Sequence, residues 1–309
     1  MKPEISICIP AYKKVDYLER LLMSLEIQSF KDFEILVSDD TPGDEIQSLC
    51  EKYKTVFNLK YKKNEIALGS PTNWNAAIKM ASGKWIKIMH NDDWFAGENS
   101  LKMFVDATVK HADCDFLFSG FSNYGHKGLI NKFIPNIQLC EKLKKSPLIL
   151  FKKNYVGHPS TTLIRNINMD WFDEKIKWVV DFEFYIRVIK SRKFASIPNA
   201  LINIGIHDDQ ITKQAFRNKS IEIPETIYLL NKLGLTSLNK IYVYDYYWRL
   251  FRNLSIRRFD DFDYLLPESF VPEKIKKMLN FQFKIPLVIL KVGILSKLFM
   301  TLSFLKERN

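Results

Sequence analysis

The chain is 309 residues long, enough for one large α/β domain with an appendage or for two small domains. With 47% apolar and 26% charged residues it has the balance of a globular protein, and Cys8, Cys50, Cys114 and Cys140 form no Cys-x-x-Cys pair. That spacing, with Cys8 inside an apolar run, disfavours a disulfide frame or a zinc site and favours free thiols in a reducing compartment. The net charge of +11 is unevenly placed: residues 210–309 hold 17 Lys/Arg against 9 Asp/Glu. A basic surface attracts nucleic acid, anionic lipid or a phosphorylated substrate without choosing among them.

Met1-Lys2-Pro3-Glu4 runs into a strand within a few residues, which leaves no room for a secretory signal and points to the cytoplasm. Residues 5–9 are apolar and end at Pro10, as a buried parallel strand would. Asp16 is placed to cap a helix with Leu18, Leu21, Leu22 and Leu25 on one face. A second strand, 34–38, stops at Asp39-Asp40, and Thr41-Pro42-Gly43 makes the turn. A helix carrying Ile46, Leu49 and Tyr53 follows, then a weaker strand near 59–62. Ser70-Pro71 opens a helix that Gly83 would close, and the strand 84–89 comes next. The alternation predicts a mostly parallel central sheet with helices on both faces.

A helix over 98–110 and a strand over 115–119 extend the pattern, which then breaks into loops, short strands and a small helix over 120–165. Residues 178–191 read as a helix, followed by strands near 193–197 and 201–206. Beyond residue 215 the chain reads as helical, over 221–233, 238–254, 272–279 and 285–305. The expected organisation is an α/β domain over 1–214 and a helical C-terminal extension over 215–309.

Among nucleotide motifs, Gly-x-Gly-x-x-Gly and the P-loop are absent, and so is the Gly-x-Ser-x-Gly hydrolase elbow. Three strand ends nevertheless carry polar or aromatic groups: Tyr12, Asp39-Asp40, and Asp92-Asp93 after His90-Asn91. The carboxyl ends of strands form the rim where α/β sheets bind ligands. Adjacent carboxylates repel, so a pair there is explained by a hard divalent cation between it and an anionic substrate. Taken singly, Tyr12 reads equally well as a packing residue, and Asp39 or Asn91-Asp92-Asp93 as turn chemistry.

Five blocks in order carry a resemblance: Ile5-Ser-Ile-Cys-Ile-Pro-Ala-Tyr12, Glu34-Ile-Leu-Val-Ser-Asp-Asp40, Asn73-Trp-Asn-Ala-Ala, Ala81-Ser-Gly-Lys-Trp and His90-Asn-Asp-Asp93. Together they resemble family 2 glycosyltransferases of the GT-A fold. Gly157-His-Pro-Ser160, Asp181-Phe-Glu-Phe-Tyr-Ile-Arg187 and His207-Asp-Asp-Gln-Ile-Thr212 continue the likeness, so it covers residues 4–212. Three positions depart from the family's pattern: His90 stands where many relatives carry a third carboxylate, Trp74 where many carry arginine, and Val180 where a Glu-Asp pair is usual.

The resemblance implies an inverting transferase that moves a sugar from a nucleoside-diphosphate sugar, UDP-linked by family frequency, to a hydroxyl of a glycan or lipid-linked glycan. Pro10, Ala11 and Tyr12 would frame the base, Asp39 would contact base or ribose, and Asn75 and Asp92 would complete the donor site. Asp93 and His207 would hold Mg²⁺ or Mn²⁺ on the diphosphate, and Asp181 would be the general base. Without the resemblance, Asp181 reads as an N-terminal helix carboxylate favoured by the macrodipole. Glu183 and Arg187 are expected to hold their helix in place. The departures motivate a second class, a nucleotide-sugar-binding protein without turnover. A third, a basic nucleic-acid or lipid-binding module, leaves the strand-end carboxylates unexplained, so nucleic acid is not an expected partner.

Residues 285–305 are nearly all apolar, with Lys284, Lys291 and Lys297 as a narrow basic stripe. The two internal lysines argue against a transmembrane span. Two readings stay open: an in-plane helix on the inner face of the cytoplasmic membrane, or a helix packed on its own domain or on a second subunit of a homo-oligomer.

Overall fold

In the computed structural model, residues 5–11 form strand β1 (Ile5–Ala11) with all seven residues buried. A strand without a solvent face needs cover on both sides, which helices provide. The structure describes residues 2–207, 216–262, 266 and 270–307. It divides into two compact units: Met1–Pro147 with Tyr155–Glu174 and Glu183–Asp208, and Leu148–Asn154 with Lys175–Phe182 and Asp209–Asn309. The boundary expected at 214/215 lies outside the described residues.

In the first unit β1 pairs in parallel with both β2 (Phe33–Asp39) and β4 (Trp85–Ile88), and β2 pairs in parallel with β3 (Leu59–Lys63). Helices α1 (Val15–Glu26), α2 (Glu45–Tyr53) and α3 (Thr72–Lys79) make the crossovers. The order 3-2-1-4 reverses direction at β1, and ligands bind at such a switch point, outside the carboxyl ends of the strands. The sheet continues from β4 through β8 (Thr162–Arg165), β6 (Phe116–Gly125) and β9 (Phe194–Gly205) to the two-residue β5 (Trp94–Phe95). There β4–β8, β8–β6 and β9–β5 are antiparallel, while β6–β9 is parallel. Helix α4 (Ser100–Lys110) connects β5 to β6.

Several local expectations are corrected. Asp16 lies in the first turn of α1 and does not cap it; Lys14 holds that position in the left-handed region (φ 53°), as does Lys13 (φ 54°). Gly83 does not stop α3, which ends at Lys79. It is needed because a Cβ there would stand 2.8 Å from the backbone nitrogen of Ser6. The stretch expected to hold short strands and a small helix does contain strand β7 (Gly128–Phe133), hairpinned on β6 through Gly128 at φ 98°, and helix α5 (Ile137–Lys145). The two strands expected over 193–206 are one, β9, whose register shifts opposite Gly120.

In the second unit, α7 (Lys219–Leu233) and α8 (Ile241–Asn253) precede α9 (Glu273–Phe283), α10 (Leu287–Lys291) and α11 (Gly293–Lys306). The single helix expected over 285–305 is broken at Val292, whose backbone is extended (φ −77°, ψ 108°). Aromatic side chains of α8 form the seam: the Tyr247 hydroxyl donates to the Thr226 carbonyl at 2.7 Å, and the Trp248 indole to the Ser296 hydroxyl at 3.0 Å. Phe151 and Phe182, from the shorter segments of this unit, stack edge-on at 6.1 Å.

The first unit also encloses a carboxylate outside the rim. Glu34 accepts from the Ser6 hydroxyl (2.7 Å), the Ser82 backbone (2.8 Å) and hydroxyl (2.7 Å), and the Lys60 ammonium (3.0 Å), tying β1, β2, β3 and the loop before β4. Burial pushes its pKa up, but these bonds outweigh burial and hold it at about 2. Because the folded value lies below the ordinary 4.5, the stabilisation is complete above that pH and is lost as pH falls toward 2. Glu34→Ala is expected to lower the unfolding free energy at neutral pH by about 2–3 kcal/mol, a gap that narrows in denaturant melts at about pH 3. An equal gap at both pH values would show that the charge is not what the network holds.

Candidate active site

Parallel register sets the β1 and β2 ends side by side, with Ala11 opposite Asp39, and the β4 exit beside them through Met89 N–H to Cys8 carbonyl at 3.0 Å. Three chain exits therefore meet on one rim. Pro10 and Ala11 are buried in β1, and Tyr12 just beyond is 52% exposed, with the Lys13 ammonium 4.9 Å from its ring centroid. Asp39 is fully buried; it accepts from the Thr41 N–H at 2.8 Å and the Tyr61 hydroxyl at 2.7 Å, with Lys63 at 3.9 Å. Burial first, then this hydrogen bond, pushes the Tyr61 phenol up.

Asp40 has a different task. Its two oxygens accept from the Asn64 amide (2.9 Å) and the N–H groups of Leu68 (3.0 Å) and Gly69 (2.8 Å), pinning the loop before α3. Asn75 likewise points its side chain at protein: it exchanges bonds with the Phe172 backbone and donates to Glu174 at 2.8 Å.

At the end of β4, ligand atoms of His90, Asp92 and Asp93 all lie within 4.8 Å of one another, the one such group among the described residues. Asp93 is 2% exposed and accepts from the Gly205 N–H at 3.2 Å and from the Ser160 hydroxyl. Burial, then the neighbouring Asp92 charge, pushes its pKa well up. Burial acts on Asp92 in the same sense, but the His207 hydrogen bond and the two nearby imidazoles outweigh it and hold this carboxyl below its usual range. Burial drives His90 down to about 4, so at neutral pH its imidazole is uncharged, the form that ligates metal. Its Nε2 is enclosed with no hydrogen-bond partner among the described residues. Two carboxylates and an orphaned imidazole nitrogen fit a divalent cation.

Groups from distant segments hold this turn. The Arg20 guanidinium donates to the Asp92 carbonyl at 2.7 Å and lies 3.8 Å from the Trp94 ring centroid. The His207 Nε2 meets the Asp92 carboxylate at 2.9 Å, and its ring lies 5.0 Å from that of Tyr17. The remainder of the block that His207 opens lies outside the described residues. Lys87, fully buried inside β4, donates to the Ser160 carbonyl and stands 4.8 Å from the Phe104 ring; burial pushes its pKa well down against the pull of Asp93. The Ser160 hydroxyl in turn receives the His90 N–H at 3.0 Å. Trp74, the departure from the family's arginine, lies 4.6 Å from the His90 ring, so the two departures touch.

Asp181 lies in the first turn of α6 (Val180–Ser191). Its Oδ1 is enclosed with no donor among the described residues, and burial pushes its pKa up to about 7. Farther along α6, Arg187 holds Glu183 at 2.7 Å and the Asp170 and Trp171 carbonyls, a structural clamp. Sequence reasoning passed over His90 as a ligand and Arg20, Lys87 and Ser160 as supports. A lysine inside the apolar run 85–89 was the available signal; Arg20 offered none.

The profile of Glycosyl transferase family 2 matches residues 6–169, more than half of the chain, and the chain belongs to that family. It is therefore a glycosyltransferase by class. Over 214 residues it is 28% identical to an uncharacterized glycosyltransferase of Methanocaldococcus jannaschii, covering 66% of this chain and 71% of the relative. Over 191 residues it is 28% identical to the poly(ribitol-phosphate) beta-N-acetylglucosaminyltransferase TarS of Staphylococcus aureus, covering 60% of this chain but only 32% of the relative. The crystal structure of TarS 1–349 with UDP-GlcNAc matches with a TM-score of 0.62 at 18% identity, over 100% of this chain and 92% of that one. The mannosyltransferase PcManGT of Pyrobaculum calidifontis, solved with GDP-Man and Mn²⁺, matches at 0.55 and 10% identity, over 99% and 87%. At such identities the structures establish a GT-A fold.

In a Mn²⁺ titration followed by thermal shift, wild type is expected to be stabilised, and His90→Ala and Asp93→Asn to weaken the apparent affinity by about 10–100-fold or more. A His90→Ala titration curve matching wild type would remove His90 from the ligand set.

Proposed function

We propose that this chain transfers a sugar, with inversion, from a UDP-linked donor to a hydroxyl of a glycan or lipid-linked glycan, with residues 1–214 as the catalytic domain. The observation that carries the reading is the His90–Asp92–Asp93 group on the same rim as buried Asp39 and exposed Tyr12. On this reading Tyr12, Pro10 and Ala11 frame the base, and Asp39 accepts from base or ribose. Asn75 supports the donor site by fixing the segment at Phe172. His90, Asp92 and Asp93 would hold Mg²⁺ or Mn²⁺, and we assign His207 to the same ion through the carboxylate it grips. Such an ion stabilises, as a Lewis acid, the charge that develops on the departing diphosphate.

Asp181 then takes the proton of the acceptor hydroxyl as that oxygen attacks the anomeric carbon from the face opposite the leaving group. The new C–O bond forms as the bond to the diphosphate breaks, which inverts the configuration. A carboxyl raised to about 7 by burial is a stronger base than an ordinary aspartate and still ionises near neutral pH. We place the work at the inner face of the cytoplasmic membrane, where lipid-linked acceptors are presented.

A thermal-shift panel of UDP-, GDP- and dTDP-sugars with and without Mn²⁺ tests the donor reading: stabilisation by a UDP-sugar that requires the ion supports it, and no response to any donor overturns it. Asp181→Asn is expected to lower kcat by about 10²–10⁴-fold while leaving ion-dependent donor binding intact. The base form exists only above its pKa, so the wild-type rate should rise with pH through about 7 and then level. Wild type and Asp181→Asn that bind donor and are equally inert would favour the binding-protein reading.

A further inference from the structure

Helix α11 is covered on one face and carries an exposed aliphatic row on the other. Ser296, Met300, Ser303 and Phe304, spaced three and four apart, are buried. They meet α8: the Trp248 indole and Arg252 bond the Ser296 hydroxyl, and the Tyr244 hydroxyl bonds that of Ser303 at 2.7 Å. The opposite face carries Ile294 (85% exposed), Leu298 (53%), Leu302 (48%) and Leu305 (52%), and α10 and the link beside it add Val288 (78%) and Val292. An exposed aliphatic row of this kind marks a surface that something covers.

The charges around the row select what covers it. Between 284 and 306 the sequence holds Lys284, Lys291, Lys297 and Lys306 and no carboxylate. All four lysines are exposed, and on α11 Lys297 and Lys306 flank the apolar row from either side. Lys284 and Lys306, with Lys277, also line a cavity of about 410 Å³ whose one acidic group, Glu307, stands 3.7 Å from Lys277. Three ammonium groups against one carboxylate leave the cavity an anion-accepting pocket.

We propose that the outer face of α10–α11 docks in the plane of an anionic phospholipid bilayer, with the aliphatic row in the acyl boundary, the lysines at headgroup level and a headgroup phosphate in the Lys277–Lys284–Lys306 cavity. Lysine stems spread over apolar surface while their ammonium groups reach the headgroups. A second copy of the chain fits worse, because a two-fold interface sets the same patch against itself and would face these lysines with lysines and no acid. No described helix is long and apolar enough to cross a membrane, and the 14 residues of α11 reach only about 21 Å. This deepens the peripheral placement given above and does not rest on the transferase reading.

The test is co-sedimentation of the full chain with vesicles of phosphatidylcholine containing roughly 30% phosphatidylglycerol, against phosphatidylcholine alone, at low and high salt. Expected are binding to the anionic vesicles that is about tenfold or more stronger than to neutral ones, and its loss at high salt. Leu298→Glu/Leu302→Glu and Lys291→Glu/Lys297→Glu should each weaken it by about tenfold or more while melting temperature and donor-dependent thermal shift stay at wild type. Equal affinity for neutral vesicles, no binding to either, or variants that bind as wild type does would overturn the proposal. So would sedimentation showing a dimer that Leu298→Glu/Leu302→Glu dissociates, which would assign the face to a second copy. Because vesicle binding needs no donor and the donor panel needs no lipid, either reading can fail without the other.

Discussion

Asp92 and Asp93 are sequence neighbours at the tip of β4, in a setting that keeps most water away. Two unit charges about 4 Å apart in such a place repel by about 4 kcal/mol, more than one ordinary hydrogen bond returns. Neutral donors from Gly205 and Ser160 therefore do not suffice to keep both carboxylates ionised. In the protein alone the deeper of the two, Asp93, is pushed toward its neutral form, while the His207 bond keeps Asp92 charged. A divalent cation removes the conflict, and the uncharged His90 imidazole adds a nitrogen ligand without adding charge.

The rest of the rim serves to hold that conflict in place. Because β1 pairs with strands on both sides, the exits of β1, β2 and β4 converge, and side chains remote in sequence then lock each exit. Arg20 holds the Asp92 backbone from 72 residues away, and His207 holds its carboxylate from 115 residues away. Lys87 donates to the Ser160 carbonyl and so fixes Ser160, which in turn meets both His90 and Asp93. Contact between Trp74 and His90 gives the two departures from the family's pattern one physical account: rings meet where arginine and carboxylate would attract.

The second unit is organised by a different principle. Its α8 buries tyrosine and tryptophan side chains whose polar tips all find partners, and this satisfied seam fixes which side of α11 faces inward. Once that side is set, the other apolar side has no place within the unit. The lysines along its margins then give it the character of a surface built for an anionic interface and not for solvent.

The amino-acid sequence by itself determined the alternation of strands and helices through residue 119, the carboxylates at strand ends and the family they belong to, because each of these is written in neighbouring residues or at a short fixed period. It misplaced features that depend on what a residue meets across space. Gly83 read as a helix stop and proved to be a point of close backbone approach, and Asp16 read as a cap where two left-handed lysines make the turn. Helix 285–305 read as continuous because an extended Val292 leaves no mark in the hydrophobic pattern. Tertiary structure alone decided that Asp40 and Asn75 spend their hydrogen bonds on protein, that Arg20, Lys87 and Ser160 brace the β4 turn, and that one face of α11 stays uncovered. Burial and hydrogen-bond partners are set by segments tens of residues apart, and no local pattern carries that information.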